Sequence, residues 1–412
     1  MFNYGCTQQL IPNAAPMTRI LILYSSLGSG HVSAAKALKE AFARFPDVEV
    51  LSEDALTYAS SVYRNAITQL YEQLSEKVPL LYKAFYEGSD VDDLERAIDS
   101  NLTWARLERP FFRKLGHFIK KADPDVVVCV QQIPSRLLQL LDQEDEVSKP
   151  QYVVVTDTIA HSTWINYGVN GYFLPNDLSA NFLIQRGVDP QLLHVTGIPI
   201  HLESTKPKTK VAVRSQHDLP LDGSIITLFG GGLNPRRVRT MVSSLVEYSG
   251  ASMVVLVAGR NGDLLEAVAD LEDNDTTQLR KLGMIDYVDD LIVASDLTIT
   301  KAGGLITSEI LARGTPMVIV DPIPGQEEQN ADVIAAAGAG VQLRLLEMVT
   351  PAVQYLLQHP ERLAEMRQAA LEIGQPSAAL NIAEYVLQHW QSHSVTKDSN
   401  LEPYAEQLND AT

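Results

Sequence analysis

With 412 residues, 45% hydrophobic and 20% charged, the chain has room for two domains of ordinary size, each with its own core, and its composition excludes general disorder. A net charge of −18 argues against a nucleic-acid binder, which needs a basic face, but leaves room for a local basic patch acting within a Debye length. Only Cys6 and Cys129 are present, the latter inside the apolar run 126–130, so a disulfide framework is not expected and a reducing compartment is favoured.

No apolar run reaches the ~20 residues of a membrane-spanning helix. Residues 1–16 lack the basic start and apolar core of a signal peptide and read as a loose arm before Met17. The expectation is a cytoplasmic protein, peripheral on the inner face of a membrane.

The first strand is predicted over 19–24, followed by Gly28-Ser29-Gly30-His31 and a helix with Ala34, Ala35, Leu38 and Ala41 on one side. Strand, glycine turn and helix open a Rossmann-like unit, although the spacing is not the full dinucleotide fingerprint. His31 fits either a general base titrating near neutrality or a histidine that caps its helix. Residues 56–87 have helical period and carry Tyr58, Tyr63, Tyr71, Tyr82 and Tyr86. Residues 104–121 interleave Arg106, Arg109, Arg113, Lys114, Lys120 and Lys121 with Leu107, Phe111, Phe112 and Phe118. That mixture suits an anionic headgroup surface, and equally a helix packed on its sheet with a solvated basic edge.

Strands are predicted at 126–130 and 151–156, the second running into Asp157-Thr158-Ile159-Ala160-His161-Ser162-Thr163-Trp164. Alternating strands and helices continue to Thr196-Gly197-Ile198-Pro199. Residues 203–223 read as a linker with one short helix near 211–217. A second Rossmann-like domain then opens at 225–229 and ends on Gly230-Gly231-Gly232, where backbone can approach a diphosphate, with Arg236, Arg237 and Arg239 at the following helix start. Further strands are placed at 253–258, before Gly259-Arg260-Asn261, and at 283–288.

The most informative stretch is Leu297 to Asn330. An apolar strand ends near Thr300, Lys301-Ala302-Gly303-Gly304 follows, and a helix carrying Ser308 and Glu309 begins. The free N–H groups of a fresh helix start form an anion cradle. A second buried strand over 317–320 is stopped by Pro322, Pro324 and Gly325, presenting Gln326, Glu327, Glu328 and Asn330 at its carboxyl end, where open α/β sheets bind ligands. Glu309 is placed to chelate a ribose diol, and Gln326 and Glu327 to hydrogen-bond sugar hydroxyls. Residues 378–392 are predicted as a last helix packing back on the first domain, and 394–412 as a disordered tail.

Ile299-Thr300-Lys301-Ala302-Gly303-Gly304, Ser308-Glu309 and Pro322-Ile323-Pro324-Gly325-Gln326-Glu327-Glu328-Gln329-Asn330 resemble the donor-binding segment of a glycosyltransferase family. That family includes monogalactosyldiacylglycerol synthases, bacterial diacylglycerol glucosyltransferases and, more distantly, the N-acetylglucosaminyl transferase of peptidoglycan synthesis. The resemblance spans about residues 19–391 and implies an α/β protein with two facing Rossmann-like domains of GT-B type. The implied limits are an acceptor domain at 17–202, a linker at 203–223, a nucleotide-sugar domain at 224–377 and a returning helix at 378–393.

By the same resemblance, His31 and Asp157 are the catalytic candidates, with Asp157 either orienting an imidazole or serving as the base. His161 and Trp164 shape the acceptor site. Gly231, Gly232, Arg260, Asn261, Ile285, Lys301, Gly303, Gly304, Glu309, Gly325, Gln326, Glu327 and Asn330 hold the donor. The implied reaction is inverting and metal-independent, with no cofactor, and carries hexose from UDP-galactose or UDP-glucose to a diacylglycerol-type lipid. An N-acetylglucosaminyl transferase on a polyprenyl carrier, a sugar-nucleotide epimerase and an inactive nucleotide-sugar-binding protein remain the alternatives.

Overall fold

The computed structural model describes residues 17–73 and 78–393; the expected arm at 1–16 and tail at 394–412 lie outside the described residues. Two six-stranded parallel sheets carry the chain. The first comprises β1 (Thr18–Tyr24), β2 (Val48–Asp54), β3 (Val126–Cys129), β4 (Gln151–Val154), β5 (Val169–Leu174) and β6 (Leu193–Val195), in the order β2-β1-β3-β4-β5-β6. The second comprises β7 (Ile225–Phe229), β8 (Met253–Val257), β9 (Gln278–Leu282), β10 (Leu297–Thr300), β11 (Met317–Val320) and β12 (Gly340–Leu343), in the order β12-β11-β10-β7-β8-β9. The central strands are fully buried β-branched runs, as expected for parallel sheets covered by helices on both faces.

In each sheet the strand order reverses beside the first strand, opening a crevice at the carboxyl ends. In the first sheet the turn after β1 brings His31 to that crevice, next to Val130 at the end of β3. In the second, Phe229 pairs with Thr300, so Gly230-Gly231-Gly232 and Lys301-Ala302-Gly303 leave the sheet side by side. The glycine turns after β1, β7 and β10, all three found in the sequence, therefore stand at switch points.

The returning helix Ala378–His393 packs on the helix Ser29–Phe42, with Ala379, Ile382, Ala383 and Val386 buried in the first domain's core. The chain thus crosses between domains twice, and the crossings touch. Gly197, at φ +88, leaves no space for a β-carbon against the Cβ of Gln375.

The stretch 104–121 spans two helices, Leu94–Glu108 and Arg113–Ala122, separated by a 3-10 turn at Arg109–Phe111, where Pro110 cannot continue the hydrogen-bond ladder. One expectation needs correction. The strand placed at 283–288 is β9, five residues earlier. Its Arg280 and Lys281 reach back to backbone carbonyls around 217–218 and 268–271, so a polar edge strand was hidden from a search for apolar runs. Residues 203–223, read as a linker, carry the short helix Lys210–Gln216 and are tied to the second domain by side chains. Lys208 pairs with Asp289 at 2.7 Å and Lys210 with Asp296 at 2.6 Å, while the buried Arg214 guanidinium donates to the Ala294 carbonyl at 2.9 Å.

Candidate active site

The site forms where the carboxyl ends of the two sheets meet. Helix Gly304–Ala312, with Gly303 as its N-cap, begins directly against the first domain, and its first N–H groups have no partner within the helix. A β-carbon on Gly304 would collide with the Thr156 carbonyl, and one on Gly30 would stand 3.4 Å from Leu305. Glycine at both places lets the turn bearing His31 lie directly against the helix start assigned to donor phosphate.

His31 is partly exposed, and its Nδ1 lies 3.1 Å from the Thr156 hydroxyl. Burial lowers its pKa to about 4, against an opposing hydrogen bond to the Val130 backbone, so the imidazole is neutral through the physiological range. Asp157 has almost no exposed surface. The Trp164 indole N–H donates to its Oδ2 at 3.0 Å, and the Gln326 amide of the other domain donates to its Oδ1. Burial raises Asp157 to about 6, opposed by those two hydrogen bonds. Thr156, rather than Asp157, is therefore the imidazole's side-chain partner.

His161 and Trp164 do not line an open acceptor surface. Trp164 is wholly buried and holds Asp157 in place. His161 Nε2 contacts the Tyr86 carbonyl oxygen at 2.8 Å, and its ring lies 4.5 Å from that of Tyr86. Both act from behind the cleft.

Across it, Gln326 to Asn330 form the first turn of helix Gln326–Ala336 rather than a loop. Glu328 accepts from the Gly325 N–H at 3.0 Å and from Lys83 of the first domain at 2.7 Å. Glu327 accepts from the Ile323 N–H at 2.7 Å, lies 3.9 Å from the Lys301 ammonium, and has its pKa raised by burial. Asn330 is buried and bridges the domains: its oxygen accepts from the Thr158 N–H at 3.0 Å, and its amide donates to the Ala302 carbonyl at 2.8 Å. Asn330 therefore joins the two loops and offers its amide to protein groups.

Glu309 stands apart from these. Its carboxylate has no hydrogen-bond partner among the described residues, and burial followed by the charge of Asp289 raises its pKa to about 7. An unsatisfied carboxyl is suited to accept from a ligand's hydroxyls. Asn261 engages the protein with both ends of its amide, capping Leu264 N–H at 3.0 Å and donating to the Gly231 carbonyl at 3.3 Å, so it shapes the glycine turn. Arg260 is exposed, and Ile285 packs on the second domain's core. Gly232 lies beside the Lys301 side chain. Arg237 and Arg239 are engaged elsewhere, with Asp321 and Asp270 respectively.

Sequence reasoning overlooked Thr156, Lys83 and the position of Tyr86. Tyr86 lies against Gly325, 3.2 Å from a β-carbon built there. Its only sequence signal was membership in a tyrosine-rich helical stretch.

Residues 31–200 match the model of the monogalactosyldiacylglycerol (MGDG) synthase family, and residues 225–384 match the glycosyltransferase family 28 C-terminal domain. A Bacillus pumilus processive diacylglycerol beta-glucosyltransferase is 26% identical over 395 residues, covering 95% of this chain and 98% of its own. Among solved structures, the S. aureus MnaA–UDP complex superposes with a TM-score of 0.59 at 14% identity, covering 93% of this chain and all of its own. The Acinetobacter baumannii MurG structure follows with a TM-score of 0.53 at 14% identity, covering 90% and 99%. At such identities the structural neighbours establish the two-domain GT-B fold. The two domain matches, in the order in which the two sheets occur, establish that the chain belongs to the MGDG synthase and diacylglycerol glucosyltransferase family of nucleotide-sugar glycosyltransferases.

Proposed function

We propose that the chain transfers glucose from UDP-glucose to the free hydroxyl of diacylglycerol with inversion, making membrane glycolipid. The observation that carries this reading is the abutment of the Gly303-Gly304 helix start on the turn bearing His31, which sets a diphosphate cradle against a neutral imidazole. Glucose is preferred to galactose because the B. pumilus relative is a glucosyltransferase.

In this reading the diphosphate lies on the backbone of Gly303-Gly304 and Gly231-Gly232, and Glu309 takes the ribose hydroxyls. Gln326, displaced from Asp157, and Glu327 take the sugar's. His31 removes the proton of the attacking hydroxyl as its oxygen bonds to the anomeric carbon, and the bond from that carbon to the diphosphate oxygen breaks on the opposite face. The leaving charge falls on N–H groups at the helix start, without a metal. One observation favours a second assignment of the base: Asp157, at about 6, is better matched to neutral pH than His31 at about 4.

We further propose that the first domain meets an anionic membrane on the inner face of the cell membrane. Leu80, Leu81 and Phe85 are exposed on one helix, and Trp104, Leu107 and Phe111 are exposed beside Arg106, Arg113, Lys114, Lys120 and Lys121. No helix among the described residues is long and apolar enough to cross a membrane.

Incubating the protein with radiolabelled UDP-glucose or UDP-galactose and diacylglycerol vesicles, with and without chelator, tests the whole reading. Labelled glycolipid is expected from UDP-glucose at a rate indifferent to chelator. Epimerised or hydrolysed donor with no glycolipid overturns the reading.

A further inference from the structure

Helix Pro79–Gly88 lies between the exposed apolar side chains Leu80, Leu81 and Phe85 and the interdomain boundary. Tyr86, on that helix, has one end of its ring against Gly325 and one face on His161 at 4.5 Å between ring centres. The residue after Gly325 is Gln326, whose amide is on Asp157. The ring is thereby fixed on three sides, by its helix, by the histidine and by the donor-side turn. The hydroxyl is fixed by nothing: it is buried and has no hydrogen-bond partner among the described residues.

A buried phenol without a partner is less stable than a satisfied one, and a phenylalanine would pack the same ring without that cost. The hydroxyl therefore calls for a partner that arrives. Its surroundings say which. The charge of Asp157 acts on the phenol, after burial, in raising its pKa well above the ordinary tyrosine range, so it is a proton donor at any working pH. The donor's phosphates and ribose are assigned to the far side of the cleft, at Gly303-Gly304 and Glu309. The acceptor, by contrast, must come from the lipid side and bring its hydroxyl to the His31 and Asp157 pair, past this helix.

We propose that the Tyr86 hydroxyl is an acceptor-binding group: it donates a hydrogen bond to an oxygen of the acceptor headgroup next to the attacking hydroxyl and so sets which acceptors are accepted. Two contacts then orient the headgroup, one from the phenol and one from the base. The inference rests on the glycosyl transfer proposed above.

Tyr86→Phe tests it, with transfer to dioctanoylglycerol in mixed micelles measured beside the wild-type protein, UDP binding by calorimetry and thermal unfolding. The expected result is a rise of about 3- to 10-fold in acceptor KM, the size of one neutral hydrogen bond, with UDP affinity unchanged and Tm unchanged or slightly raised. An unchanged acceptor KM overturns the proposal, as does a loss of UDP affinity as large as the change in KM. A drop in Tm without a change in KM assigns the hydroxyl to the fold and also overturns it. Should the wild-type protein make no glycolipid, the reading of function fails instead, and that outcome is separate from all of these.

Discussion

The two carboxyl edges that face each other are built in opposite ways. On the first domain the polar groups are buried and already paired: Asp157 with Trp164 and Gln326, His161 with Tyr86, and Thr158 with Asn330. On the second, the working surface is backbone: Gly231 and Gly232 are exposed, Gly303 and Gly304 open a helix, and Glu309 has no hydrogen bond among the described residues. A diphosphate is the same in every nucleotide sugar, and peptide N–H groups at a helix start recognise it without side chains. An acceptor hydroxyl has to be selected and deprotonated at one place, which requires side chains held in position by their neighbours.

That contrast can be broken at its strongest point by His31→Ala. If the first edge carries the chemistry and the second the donor, turnover falls by roughly 100-fold or more while UDP affinity by calorimetry stays near normal. Near-normal turnover in His31→Ala, together with an inactive Asp157→Asn, transfers the role of base to Asp157. The next largest effect belongs to the other edge. Glu309→Gln is expected to weaken UDP binding by about 10- to 100-fold, the loss of a charge-assisted hydrogen bond, with a smaller change in kcat at saturating donor.

Titration sharpens the same division. Ribose hydroxyls favour the ionised carboxylate, so donor binding lowers the Glu309 pKa from about 7 and affinity should rise with pH across neutrality, then level off. Glu309→Gln should abolish that slope. On the first edge, a His31 base already deprotonated above about 4 gives a flat kcat from pH 5.5 to 8, whereas an Asp157 base gives a limb that rises through about 6. Folding stability follows the same signs. A histidine with a lowered pKa supports the fold above its ordinary value and loses that support as pH falls from about 6.5 toward 4. The smallest effect is expected at Lys83→Met. Its bridge to Glu328 is partly exposed and screened, so stability should change by less than about 1 kcal/mol in a thermal melt.

The strands and helix starts from 297 to 330 were legible because each signal in them is local. An apolar strand, a glycine pair and a helix start are neighbours in sequence, and their geometry follows from backbone chemistry alone. His31 stood out for the same reason, through the glycines before it. What escaped was what joins distant segments. Gln326 reaches Asp157 across 169 positions and Lys83 reaches Glu328 across 245, and no pattern within a window reports such pairs. Trp164 was read as an acceptor contact because its place in the string was visible and its burial was not. The segment 203–223 was read as a linker from its polar composition, which could not show that Lys208, Lys210 and Arg214 are paired with Asp289, Asp290 and Asp296.

The second domain is, in chain terms, an insert: it leaves the first near Gly197 and returns at Gln375, and these two residues touch. Two covalent tethers side by side restrict the relative placement of the domains more than a single one would. The returning helix seats on the helix that begins beside His31. His31 is thus carried by the same frame that anchors both tethers, so the Gly197–Gln375 contact bears on how Gly303-Gly304 is seated against the turn of His31 whichever ligand is bound.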